Sequence, residues 1–109
     1  VLTFLVSYRG PTADLQHWLN HYDANHPPIM VRFPGIREVE TCRPVEWRSA
    51  LPFARANAMQ RNKVVFDSFK DLLAALASPV MLEMRADSAT FPKWEGGNTH
   101  FPMTTWRIG

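Results

Sequence analysis

Cysteine is nearly missing from this chain. Cys42 stands alone among 109 residues, so no intrachain disulfide can form and the stapled class of small secreted domains is excluded. A cytoplasmic location is the expectation that follows, with Cys42 read as an inert buried thiol. Long apolar runs are missing too. The longest, around Val1 to Val6, is far below the roughly 20 residues that cross a bilayer as a helix, and no basic segment precedes it. No membrane association is expected; the chain opens on Val1 without a Met, which suggests a trimmed or processed start. Nor does charge of one sign prevail. Twelve Lys and Arg against ten Asp and Glu leave +2, and the arginines are scattered rather than gathered in a stripe, so no nucleic-acid partner is expected. A glycine-rich phosphate loop, a Ser-His-Asp elbow and a C-x-x-C pair are all absent, which removes nucleotide, serine-hydrolase and zinc-finger readings.

What is present fits one ordinary core, since single domains typically hold about 100 to 150 residues. Residues 1–109 are therefore read as one domain, and the 46% hydrophobic content is that of a folding chain. Val1 to Tyr8 is β-branched and aromatic and stops at Gly10-Pro11, which predicts a first strand. Thr12 is the expected N-cap of a helix carrying Leu15, Trp18, Leu19 and Tyr22 at i, i+3, i+4, i+7, weakening before Pro27-Pro28. A further helical turn follows over Ile29 to Phe33. Ile36 to Cys42 alternates as a strand, and Arg43 to Asn57 is a long aromatic-bearing loop. Ala58 to Phe66 predicts the third strand. Ser68-x-x-Asp71 then opens a helix with Phe69, Leu72, Leu73 and Leu76 on its apolar stripe, and Ser78-Pro79 restarts it as far as about Ala89. A last strand is expected over Phe101 to Ile108, at a sheet edge where Pro102 is tolerated.

The order β, α, β, β, α, β is that of an α+β, ferredoxin-like fold with a four-stranded antiparallel sheet. Helices on one face leave the other face uncovered. Strand one is apolar on both sides, Leu2, Phe4, Val6 and Tyr8 against Val1 and Leu5, so a second copy is expected to close the open face and form a dimeric α/β barrel.

Two stretches resemble a known family. Tyr22-x-x-x-His26-Pro27 followed by Pro34-Gly35-Ile36-Arg37, and Phe66-Asp67-Ser68 with Ala75-Leu76-Ala77-Ser78-Pro79, are similar to signatures of the EthD-like group of dimeric α/β-barrel proteins. The resemblance covers roughly Tyr22 to Pro79. It implies a homodimer and a small accessory enzyme of catabolic or biosynthetic metabolism, working without a bound cofactor on an ether, aromatic, lactone or polyketide-like molecule. The reactions it implies are isomerisation and cofactor-independent oxygenation. The long loop 43–57 and the segment 91–101 depart from the pattern.

His26 is the first candidate for proton transfer, because an imidazole titrates near neutrality and this one stands where a helix yields to a proline-rich turn. The competing reading makes it a helix-end cap. His100 and Arg61 are candidate catalytic partners, Arg61 only if its side of strand three looks inward; Lys63 shares that side, Gln60 and Asn62 the other. Tyr8, Tyr22, Trp47, Trp94 and Phe101 are candidate walls for a small apolar or aromatic ligand, Tyr22 serving equally well as core. Asp14, His17 and His21 lie on one helix face, but off the apolar stripe and without the H-E-x-x-H pattern, so no metal is expected. A non-catalytic dimer holding a hydrophobic ligand in the same cavity is the alternative function; haem handling ranks behind both.

Overall fold

The computed structural model describes residues 1–109. Its elements are β1 (Leu2–Arg9), α1 (Leu15–Asn25), α2 (Pro27–Met30), β2 (Ile36–Cys42), β3 (Ala58–Phe66), α3 (Phe69–Leu76), α4 (Pro79–Ser88) and β4 (Asn98–Thr104). The four strands form one sheet in the order β2-β3-β1-β4, every neighbouring pair antiparallel. This is the expected ferredoxin-like α+β architecture, with Pro102 on an edge strand where its missing N–H costs no ladder bond.

Register fixes which side chains share a face, because neighbours along a strand point to opposite sides. Val6 pairs with Asn62 and His100, and Tyr8 with Gln60 and Asn98, so these residues share the helix-covered face with Leu2, Phe4, Val64 and Phe66. The open face carries Thr3, Leu5, Ser7, Arg61, Lys63, Phe101 and Met103. Two buried clusters lie under the helices, one around Phe66, Leu72 and Met30 and the other around Trp18, Tyr22 and Tyr8. Phe4 packs against both.

Several boundaries depart from expectation. Asp14, not Thr12, caps α1, its Oδ1 accepting from the His17 N–H at 3.0 Å. Thr12 is drawn instead into a bridge with Trp94, and its hydroxyl donates to the Lys93 carbonyl at 2.7 Å. The last strand begins at Asn98 and ends at Thr104 because β1 is its only partner and runs out at Leu2, opposite Thr104. Trp106 and Ile108 beyond it are exposed. On α3 the buried residues are Leu72 and Ala75, while Phe69 and Leu73 are about half exposed. Cys42 is exposed rather than buried, standing on the outer side of edge strand β2.

The two stretches that carry the family resemblance meet in space. Arg37 forms a two-pronged ion pair with Asp67, Nε to Oδ1 at 2.9 Å and Nη2 to Oδ2 at 2.8 Å. Gly35 makes the turn that aims Arg37 there, at φ +75, a conformation that side chains with a Cβ rarely adopt. These motifs are therefore fasteners between the start of β2 and the end of β3. Gly35→Ala is expected to cost about 1 kcal/mol by denaturant titration, since the cost lies in the backbone and not in space: the nearest atom to a new Cβ is 3.8 Å away.

Candidate functional site

Between the sheet and the helices lies a cavity of about 450 Å³. That is within the ~300–1,000 Å³ range of small-molecule sites. The register divides it. Toward the Phe66 end of the sheet its walls are Phe33, Phe66, Leu72 and Leu76 with Met30, Met81 and Met84, and toward the Tyr8 end they are Tyr8, His26, Asn62, Asn98 and His100. One end is thus dry and, through its methionines, adaptable in shape, while the other presents hydrogen-bonding groups.

His26 occupies the joint between α1 and α2. Its backbone N–H donates to the Tyr22 carbonyl at 2.9 Å and closes α1, its own carbonyl accepts from Ile29 and Met30, and Pro27 begins the next turn. The ring is 3% exposed in the residue as a whole and packs edge-on to Phe91 at 4.9 Å between centroids. Nδ1 lies 2.7 Å from Oδ2 of Asp87 on α4. A carboxylate can only accept, so Nδ1 carries the proton and Nε2 is left with its lone pair. Burial lowers the His26 pKa from its ordinary value, while the hydrogen bond and charge of Asp87 pull it back up. His100 is also lowered, by burial first and by His26 second.

Both shifts bear on stability. The folded chain disfavours protonation of His26 and His100, whereas the unfolded chain takes up protons near pH 6.5. Between 6.5 and the lower folded values the unfolded state binds more protons, so stability falls as pH drops through that window and levels off below it. Urea midpoints should therefore decrease from pH 7.5 to pH 5, and the decrease should shrink in His26→Gln. An unchanged midpoint would contradict the assignment.

A second set of polar groups runs back from Asn62 on the cavity wall. The Arg43 Nε–H donates to Gln60 Oε1 at 2.8 Å, Gln60 Nε2 donates to Asn62 Oδ1 at 3.1 Å, and Asn62 Nδ2 donates to the Tyr22 hydroxyl. Gln60, Asn62 and Tyr22 are all at most 1% exposed. The Tyr22 ring in turn packs edge-on against that of Tyr8, with centroids 5.5 Å apart. Burial pushes the Tyr8 pKa up to about 12 and that of Tyr22 well above its usual value. Both phenols are protonated at neutral pH.

Of the residues singled out in the sequence, the structure brings His26, His100 and Tyr8 together on the cavity, with Tyr22 directly behind. Trp94 packs against Tyr8 at 6.1 Å between centroids, outside the cavity wall. Arg61 and Phe101 project from the opposite face, where the Arg61 Nε–H donates to Ser7 Oγ at 2.9 Å. Trp47 lies in the 43–57 loop against Phe53, away from this cavity. Asp14, His17 and His21 do not converge either, since Asp14 caps α1 and the His21 ring bonds Thr90. No group of three His, Cys, Asp or Glu residues has the arrangement of a metal site. Asp87 was not anticipated, because 61 residues separate it from His26 and no local spacing marks it.

No family model matches the sequence, and no curated protein does. Solved structures do match in shape. An ethyl tert-butyl ether D (EthD) family protein from Bacillus halodurans aligns over 97% of this chain and 100% of its own, with a TM-score of 0.77 and 18% identity. SnoaB, a cofactor-independent oxygenase from Streptomyces nogalater, aligns over 98% and 94%, with a TM-score of 0.65 and 15% identity. A dimeric protein of unknown function with a ferredoxin-like fold from Bacteroides fragilis aligns over 95% of both chains, with a TM-score of 0.65 and 11% identity. In fold, then, the chain is a ferredoxin-like protein of the shape found in an EthD family protein and in a cofactor-independent oxygenase, in agreement with the resemblance that its motifs carry.

Proposed function

We propose that the chain is a small-molecule enzyme in which His26, oriented by Asp87, removes a proton from an apolar substrate seated in the cavity. The observation that carries this reading is the 2.7 Å His26–Asp87 contact on a ring that lines the space. A carboxylate holding Nδ1–H sets the tautomer and stabilises the imidazolium that forms when Nε2 takes a proton. His100 is the partner across the polar end, and Tyr8, with Tyr22 behind it, completes the wall. The dry end suits an aromatic, lactone or polyketide-like body, and the reacting group is an enolisable C–H or a phenolic O–H at the wet end. For isomerisation the proton leaves one carbon for Nε2 and returns to another. For oxygenation the same first step yields the electron-rich anion that dioxygen can oxidise without a protein-bound cofactor, a reading supported by the shared fold of SnoaB.

A thermal-shift screen with naphthols, hydroxyquinones and aromatic lactones tests this. At ~100 times its Kd a ligand stabilises the fold by about 2.7 kcal/mol, a shift of several degrees. Stabilisation by ionisable aromatics that is weakened in His26→Gln supports the reading. Equal stabilisation of both proteins by any apolar compound favours a binding protein without turnover, a role the largely apolar walls also fit.

The active form in this reading is a cytoplasmic homodimer of single-domain chains closed through the open sheet face. Phe101 and Met103 are 44% and 47% exposed there beside Leu5, while the other half carries Lys63 between Glu38 and Glu40 at 3.7 and 3.9 Å. Sedimentation should report a dimer for the parent chain and a monomer for Phe101→Asp, which buries a charge in the proposed interface. A parent chain that sediments as a monomer at micromolar concentration would end the assembly proposal.

A further inference from the structure

We propose that Arg85 is the anion-recognising residue of the cavity, and that the molecule seated there is an acid whose carboxylate lies at the mouth beside its ionisable hydroxyl or enolisable carbon. The inference rests on the reading of the cavity as a proton-transfer site and deepens it. It narrows the substrate from an apolar molecule to one with an apolar body and an anionic end, an aromatic hydroxy acid or an enolisable keto acid.

Exposure locates the mouth. Of the residues lining the cavity, only Arg85 on α4 and Asn98 and His100 on β4 are exposed, and the rest are buried or half-buried. The opening therefore lies between α4 and the edge strand, at the polar end, where Asp87 of the same helix also reaches His26. Arg85 is the one lining residue with a permanent charge. The helix gives that charge no partner. Side chains meet along a helix at spacings of three and four residues, and around Arg85 those positions are Met81, Leu82, Ser88 and Ala89. The two carboxylates nearest in sequence are engaged elsewhere, since Glu83 receives both prongs of Arg32 and Asp87 holds His26. Arg32, Arg37 and Arg43 each have a carboxylate within the chain, whereas Arg85 has none. A solvated arginine in the last turn would favour the helix dipole from any side of α4. This one stands on the side of Met81 and Ser88, both of which line the cavity. Its fork matches a carboxylate through two parallel N–H donors, and apolar walls limit the water that competes for them. The Phe66 end holds no ionisable group, so an acid enters body first and keeps its carboxylate at the mouth. The carboxylate and the group that faces His26 then share one end of the ligand.

Three probes isolate the charge: 2-naphthol, 3-hydroxy-2-naphthoate and its neutral amide, 3-hydroxy-2-naphthamide. They share the aromatic body and the hydroxyl. By titration calorimetry at about 50 mM salt, the parent chain should bind the acid at least about tenfold more tightly than the amide. At about 500 mM salt that ratio should shrink, because a charge pair at an open mouth is screened. Arg85→Met keeps the apolar stem without the charge and should bring the ratio to unity. Arg85→Lys, a charge without the fork, should retain part of the preference. Arg85 is exposed, so neither change opens a hole in the core, and the Tm of each variant checks that it is folded. His26→Gln should weaken acid and amide together and leave their ratio as it is. Equal binding of acid and amide by the parent, or a preference that survives in folded Arg85→Met, would mean a solvated arginine only and would overturn the inference while sparing His26. Failure of the parent to bind any of the three would overturn the cavity reading and this inference with it.

Discussion

Asp87→Asn is expected to lower the His26 pKa further, and to reduce turnover of any substrate deprotonated there by about 10²–10⁴-fold, the usual worth of a positioned general base. In the parent chain burial alone depresses the imidazole and Asp87 works against it, through a 2.7 Å hydrogen bond and through its charge. Removing the charge leaves burial unopposed. The amide has a second effect, since its NH2 can donate to Nδ1 and so move the ring proton to Nε2. Nε2 would then present a hydrogen where the proposed reaction needs a lone pair. Two readouts separate this from a structural defect. The NMR titration of His26 should move to lower pH in the variant, and the acid limb of a rate profile should move with it while the plateau falls. A folded variant whose His26 titrates as in the parent would show that Asp87 does not tune the ring.

The sequence carried the sheet further than the site, for a physical reason. Alternation and β-branching are local, so β2 and β3 were legible to the residue, as was the Ser68 cap of α3, whose Oγ accepts from the Asp71 N–H at 3.2 Å. The end of β4 was not, because a strand stops where its partner stops and β1 lies about 95 residues earlier in the chain. Thr12 and Asp14 are both good caps, and only the tertiary bridge to Trp94 decides between them. Of the candidate residues, His26 was singled out by its helix-to-proline setting, and it lines the cavity. Which of Gln60-Arg61-Asn62-Lys63 looks inward was left open by the alternation, and the register with β1 places the two amides inside and the two charges outside. This follows the cost of desolvation, since an amide with partners can be buried and an unpaired charge cannot. Asp87 and the Arg43 contact are pairings across 61 and 17 residues, which no local pattern encodes.

The second large effect concerns the platform on which these groups stand. Trp18 is fully buried, stacked on Tyr22 with centroids 5.4 Å apart and planes within 12°, and flanked edge-on by Phe91 and Trp94 at 5.6 and 5.8 Å. It also abuts Tyr8 at 5.4 Å. Trp18→Ala is expected to cost about 3–5 kcal/mol, the range for large aromatic truncations in cores. Against a total of about 5–15 kcal/mol for a domain, that leaves the fold marginal or lost. Trp18→Phe should behave very differently. The indole Nε1 is buried with no hydrogen-bond partner, so the smaller ring gives up volume but also removes an unsatisfied donor, and the two effects oppose. Denaturant titration should thus rank the variants steeply, with Phe close to the parent and Ala far below it. If Phe cost as much as Ala, Nε1 would have to be bonded in solution, and the aromatic stack would not by itself explain why α1 lies where it holds Tyr22 and His26 over the sheet.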